Sequence, residues 1–183
     1  MVTDGDRGTA RECLRQGGRL AWRLRELGRV QNLPDDVVFA RLGPEPRGPV
    51  ILVEPADNIG AGAPGDGTGI LRAMLAHGVR RGLVAINDPD SVGRLAGLAP
   101  GSRARLAIGG RGWRLDAGPV VLDVVLRSRS DGVFHLEDPQ SHLASMSGTR
   151  FDMGPCAVVT HAGVTILLTS RRTPPFDLGQ FRS

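Results

Sequence analysis

Pro49-Val50-Ile51-Leu52-Val53, then the loop Glu54-Pro55-Ala56-Asp57-Asn58-Ile59-Gly60-Ala61-Gly62-Ala63-Pro64-Gly65-Asp66-Gly67, is the stretch that decides the fold. The first five residues are an unbroken apolar run, the pattern of a strand buried on both faces. Beyond the loop, residues 68–77 carry Ile70, Leu71, Met74 and Leu75 at helical spacing, and Gly78 stands at the C′ position. Leu83-Val84-Ala85-Ile86 reads as a second buried strand. Asp88-Pro89 then opens a helix as N-cap and first helical residue. Residues 49–97 therefore spell β-loop-α-β-α, the beginning of a parallel α/β layer.

Working outward, the pattern downstream changes to period two. Residues 103–108, 120–126, 133–136, 157–161 and 164–168 read as strands of a β-rich antiparallel portion. His161-Ala162-Gly163 joins the last two as a hairpin turn, and residues 178–181 look like the start of a helix. Upstream, residues 9–29 form a helix with a stripe of Arg11, Arg15, Arg19 and Arg23, read as a solvated face. Residues 30–48, with Pro34, Pro44 and Pro46, read as a connector. The chain divides into 1–48, a helix and connector, and 49–183, an α/β domain.

The 183 residues carry 23 Lys+Arg against 19 Asp+Glu, a net charge of +4, with a pI near 10.7. All of the basic residues are Arg, and Lys and Tyr are absent. The high pI then follows from residue usage, and the modest net charge predicts no nucleic-acid partner. Only two cysteines, Cys13 and Cys156, are present, too few for a disulfide scaffold or a Cys-rich zinc module. The longest apolar runs fall far short of the roughly 20 residues of a membrane span. Neither a membrane partner nor a signal peptide is expected, and a cytoplasmic location is.

Gly60, Gly62 and Gly65 satisfy G-x-G-x-x-G, with Asp88 and Asp90 at about the distance of a ribose-binding acid. Against dinucleotide binding, the first glycine lies well beyond the strand, Pro64 removes a donor, and Asp57 and Asp66 would repel a pyrophosphate. Asp66 reads instead as a capping acid for the following helix. The exposed N–H groups of the glycines could bind a carboxylate or oxyanion. Of the four histidines, only His135 and His142, with Glu137 and Asp138 between them, form a cluster, and it is read as an ordinary polar loop rather than a metal site.

The run from Asp57 to Asp66, followed by Thr68 and Leu71-Arg72-Ala73-Met74-Leu75, resembles the D-N-P-G-G-G-A-P-G-D signature of the C-terminal domain of the microcystin-degradation protein MlrC, the M81 metallopeptidase family. Gly154-Pro155-Cys156-Ala157-Val158-Val159 and the segment from Gly163 through Ser170-Arg171-Arg172 to Phe176-Asp177 resemble its second signature. Asn87-Asp88-Pro89 is similar to its W-D-P. Ile59, Ala61, Asn87 and Pro174 depart from the pattern. The resemblance implies a two-domain enzyme in which an upstream domain or chain holds zinc and cleaves a peptide or amide bond of a peptide-like small substrate. This chain would then be one part of such an enzyme, a scaffold inactive alone, with no metal of its own. The substrate- or anion-binding residues it implies are Asp57, Asn58, Gly60, Gly62, Gly65 and Asp66, with Arg171 as a carboxylate clamp. A Rossmann-like dinucleotide module and a degenerate non-catalytic remnant are the alternatives.

Overall fold

The computed structural model describes residues 4–29, 31–42 and 47–182. Two compact units are present, residues 1–34 and 35–183. In the first, α1 (Arg7–Leu24) starts at Asp6, whose carboxylate accepts the Gly8 N–H at 2.8 Å. That contact satisfies one of the donors every helix start leaves open. Its arginine stripe is exposed, and Arg15 pairs with Glu12 one turn away.

The second unit is α/β. Its order is α2 (Asp35–Leu42), α3 (Gly69–Ala76), β1 (Gly82–Asn87), α4 (Pro89–Leu95), β2 (Arg103–Ile108), β3 (Val120–Ser130), β4 (Val133–His135), α5 (His142–Ser147), β5 (Arg150–Asp152), β6 (Cys156–His161) and β7 (Val164–Thr169). Five strands form one sheet in the order β1-β7-β6-β3-β2. Only β1–β7 is parallel; β7–β6, β6–β3 and β3–β2 are antiparallel. A small β4–β5 pair stands apart.

Alternation explains the two faces. Leu106, Ile108, Leu122, Val124, Leu126, Val159, Ile166, Leu168 and Ile86 lie on one face and are buried with Leu71 and Met74 of α3 and Val92 and Leu95 of α4. On the other face, Cys156 and Leu167 pack beneath Phe134, Leu136, Ala144 and Met153. Phe134, Phe151 and Phe176 form a ring cluster there, with centroids 5.3–6.4 Å apart.

Two expectations fail. Residues 49–53 are not a buried strand: they carry no strand assignment, and Ile51 and Val53 are 86% and 84% exposed. An apolar run specifies burial only where a partner strand exists, and among the described residues none pairs with it. The parallel layer therefore begins at β1 and is closed by β7 from the far end of the sequence. The connector is also more than a connector. α2 lies within it, and Phe39 of α2 is buried in the main core. Pro44 and Pro46 of that segment lie outside the described residues. The α4 start holds as read: the Asp88 carboxylate accepts the Ser91 N–H at 3.0 Å, and Pro89 is the first helical residue. No helix among the described residues is long and apolar enough to cross a membrane.

Candidate functional site

The glycine-rich loop meets a second glycine-rich loop, residues 109–118, between β2 and β3. Four aspartates hold this arrangement: Asp66 and Asp116 bridge the two loops, and Asp57 and Asp88 brace one loop each. Asp57 accepts the N–H groups of Gly65 at 2.8 Å and Gly67 at 2.6 Å, folding the first loop back on itself. Asp66 accepts the N–H groups of Arg111 and Gly112, both at 2.7 Å, through one oxygen. Asp116 reaches the other way and accepts the Thr68 N–H and hydroxyl, each at 2.7 Å. Asp88 accepts from Ser91, from the Gly109 N–H at 2.9 Å and from the Arg111 guanidinium at 3.2 Å.

Such close loop contact needs missing side chains. A Cβ on Gly112 would lie 2.5 Å from the Pro64 Cβ, so no larger residue fits without moving the loop. Burial alone would raise the Asp88 carboxyl. The Gly109 and Ser91 N–H groups, the Ser91 hydroxyl and the Arg111 charge outweigh it and hold the group below the ordinary 3.8. Asp116 is lowered in the same way: desolvation opposes, but the Thr68 and Gly118 donors and Arg72 prevail. These acids are ionised at neutral pH, and their charge is spent on backbone N–H groups.

This changes several sequence expectations. Asp66 does not cap α3: Thr68 is the N-cap residue, with its own donors on Asp116, and Asp66 ties the first loop to the second. The glycine N–H groups are not free for an anion. Gly60 donates to the Asn58 side chain, Gly62 to the Ile59 carbonyl, and Gly65 and Gly67 to Asp57. The same bonds remove the supports of a dinucleotide site, which needs a strand before the loop and open N–H groups after it. Asp88, the supposed ribose acid, is 2% exposed and fully engaged. Arg171 lies elsewhere. Its guanidinium pairs with Asp152 of β5, and its N–H donates to Met153 at 2.8 Å.

One acceptor at the clamp stands open. The second carboxylate oxygen of Asp66, Oδ1, is buried and has no hydrogen-bond partner among the described residues. A buried acceptor without a donor costs about 1–3 kcal/mol, so such groups call for an explanation. No three His, Cys, Asp or Glu side chains come together as metal ligands among the described residues. His135 and His142 are both exposed, on β4 and at the start of α5. Among the described residues, then, no side-chain set fits a zinc ion.

Sequence reasoning missed Asp88 and Asp116 as clamp members, and with them Arg111. The available signal was the second glycine run, Gly109-Gly110-Arg111-Gly112, which needs a reason to bring two backbones close.

Residues 52–183, which span both loops and the whole sheet, match the family model described as MlrC C-terminus. The chain belongs to the MlrC C-terminal family. It is 31% identical over 138 residues to Microcystinase C of Sphingomonas sp., a match covering 74% of this chain and 25% of that protein. Its fold is similar to a crystal structure described as "Putative metallopeptidase" from Mesorhizobium sp. BNC1, with a TM-score of 0.77 and 23% identity, over 90% of this chain and 32% of that one. The MlrC-like chain thus spans about a quarter to a third of these relatives.

Proposed function

We propose that this MlrC C-terminal domain is the substrate-side scaffold of an M81-type zinc metallopeptidase that hydrolyses peptide or amide bonds in the cytoplasm. The metal belongs to an upstream domain or chain, and this domain alone is inactive. The observation that carries the reading is the orphaned Asp66 Oδ1 at the centre of the double loop. That oxygen is buried, so a substrate donor such as a peptide N–H or a cationic side chain would reach it once the two loops part. The loop is therefore suited to a donor rather than to the anion that its glycines suggest in sequence. Asp57, Asn58, Gly60, Gly62 and Gly65 shape it. Zinc in the upstream domain would activate water for attack on the carbonyl carbon. The part of this chain would be to orient the substrate. Arg171, through Asp152, would steady the β5 side rather than bind substrate.

The test uses the purified chain and a chimera in which it replaces the matching quarter of Microcystinase C. The chimera should hydrolyse a peptide substrate of that enzyme and bind zinc. Asp66→Ala in the chimera should lower kcat/KM by about tenfold or more, the scale of one charge-assisted hydrogen bond. Hydrolysis by the isolated chain, or an Asp66→Ala chimera of full activity, would overturn the reading.

A further inference from the structure

The five-stranded sheet is unevenly covered. On the face away from α3 and α4, the β4–β5 pair and α5 cover β1, β7 and β6 around Ala85, Leu167 and Val158. Over β2 and β3 the same face is bare, with Arg103, Arg105, Asp123 and Val121 exposed. There lies a hollow of about 420 Å³, lined by Arg103, Asp123, Arg127, Thr160, His161 and Ala162 together with neighbouring residues.

Its walls are built in three ways. First, the register places Arg103 opposite Val125 and Val125 opposite Thr160, so the three lie in one row across β2, β3 and β6. Arg127 sits at a bulge, where the β3–β6 register shifts between Leu126 and Ser128. A bulge leaves its extra residue out of the ladder and re-aims the side chain. Arg103 and Arg127 both line the hollow, which brings the two side chains to one space.

Second, the cations are open. The Arg127 Nε donates to the Thr160 hydroxyl at 2.8 Å, which fixes the plane of the guanidinium and leaves its two terminal nitrogens without acceptors among the described residues. Arg103 has no acceptor among the described residues. Asp123, the one acid of the hollow, is turned to Arg105 at 3.3 Å. Third, the His161 ring is held by Nδ1 against the Asp123 carbonyl at 2.7 Å, which leaves Nε2 as its remaining polar atom. The turn that follows is strained: Ala162 has φ +47°, the one positive value outside glycine among the described residues.

We propose that this hollow is an oxyanion-binding site that takes a phosphoryl or carboxylate group between the guanidiniums of Arg103 and Arg127. Guanidinium presents paired N–H donors that match both groups, and the bond from Arg127 to Thr160 reduces the freedom lost on binding. The site is distinct from the double loop and does not depend on the function proposed for it.

The test is a ¹H–¹⁵N NMR titration of the full chain with inorganic phosphate and, separately, with succinate. Ionic strength is fixed with sodium chloride, because exposed charges are screened by salt. The expected result is saturable shifts confined to residues 103, 127 and 160–163. The paired variants Arg103→Ala/Arg127→Ala and Arg103→Gln/Arg127→Gln, checked for an unchanged spectrum elsewhere, should bind at least about tenfold more weakly. Arg94→Ala on α4 should bind as the parent does. Saturation by phosphate alone assigns a phosphoryl group, by succinate alone a carboxylate, and by both a general oxyanion site. If neither saturates by about 10 mM, weaker than specific recognition requires, the proposal fails. It fails equally if chloride reproduces the shifts or the paired variants bind like the parent.

Discussion

Replacing Asp88 by Asn separates two roles that the structure assigns to one carboxylate. As a helix N-cap, Asn is about as good as Asp, so a residue that only capped α4 would tolerate the change at almost no cost. Asp88 does more, because its Oδ2 also takes the Gly109 N–H at 2.9 Å and the Arg111 guanidinium at 3.2 Å. An amide has one oxygen. If that oxygen faces Ser91, the NH₂ faces the Gly109 N–H; if it faces Gly109, the NH₂ faces the Ser91 N–H. Either way one buried donor is orphaned, at about 1–3 kcal/mol. The Arg111 pair adds at most about 1 kcal/mol, since its side chain is 40% exposed and screened. The expected loss is roughly 1–4 kcal/mol, or a fall in Tm of about 2–16 °C for a domain of this size. Urea unfolding followed by circular dichroism at pH 7 measures it. A second arm uses pH. A carboxyl lowered below 3.8 in the folded state contributes stability that is present above that value and is lost as pH falls through the folded value. The parent should therefore lose stability more steeply below about pH 4 than Asp88→Asn does. A loss under about 0.5 kcal/mol, the scale of a neutral surface change, with identical acid profiles would show that the clamp contributes nothing beyond the cap.

Two further outcomes follow from single contacts. Ala162→Asn should stabilise the chain by about 0.5–1 kcal/mol, because Asn tolerates the left-handed region that an alanine occupies at a cost of about 1–2 kcal/mol. Thermal unfolding checks it, and an unchanged or lower Tm would refute the strain. Asp57→Ala should expose the Gly65 and Gly67 amides to rapid hydrogen exchange while leaving the sheet protected, since these two bonds close the loop.

The strands β1 to β4, β6 and β7 and the start of α4 were legible because their signals are local; the three-residue β5 was not. Residues such as Leu122, Val124 and Leu126 alternate with polar or exposed neighbours, and Asp88-Pro89 is a cap by its own chemistry. What was not legible depends on distant partners. The apolar run at residues 49–53 has the composition of a strand, but composition does not say whether an edge exists to receive it. The α2 helix hid among prolines, although Asp35 and Asp36 in its first turn and the buried Phe39 were signals of it. In the site, the glycines were read as open donors because Asp57 lies 8 and 10 residues from the groups it binds, and Asp116 lies 48 from Thr68. No spacing rule links such pairs. The family resemblance was carried by those same residues and survives the change in their roles.

The pairing of β1 with β7 also sets the order in which the molecule can be made. Asn87 of β1 meets Thr169 of β7, 82 residues later, and β1 has no other strand neighbour in the sheet. During synthesis at roughly 5–20 residues per second, β1 waits about 4–16 s for its partner. The antiparallel strands β2, β3 and β6 precede β7 on the ribosome, so they can assemble first. The last strand then enters between two pieces already made and joins them. A chain stopped before residue 164 would hold β1 without the one strand that pairs with it in the sheet.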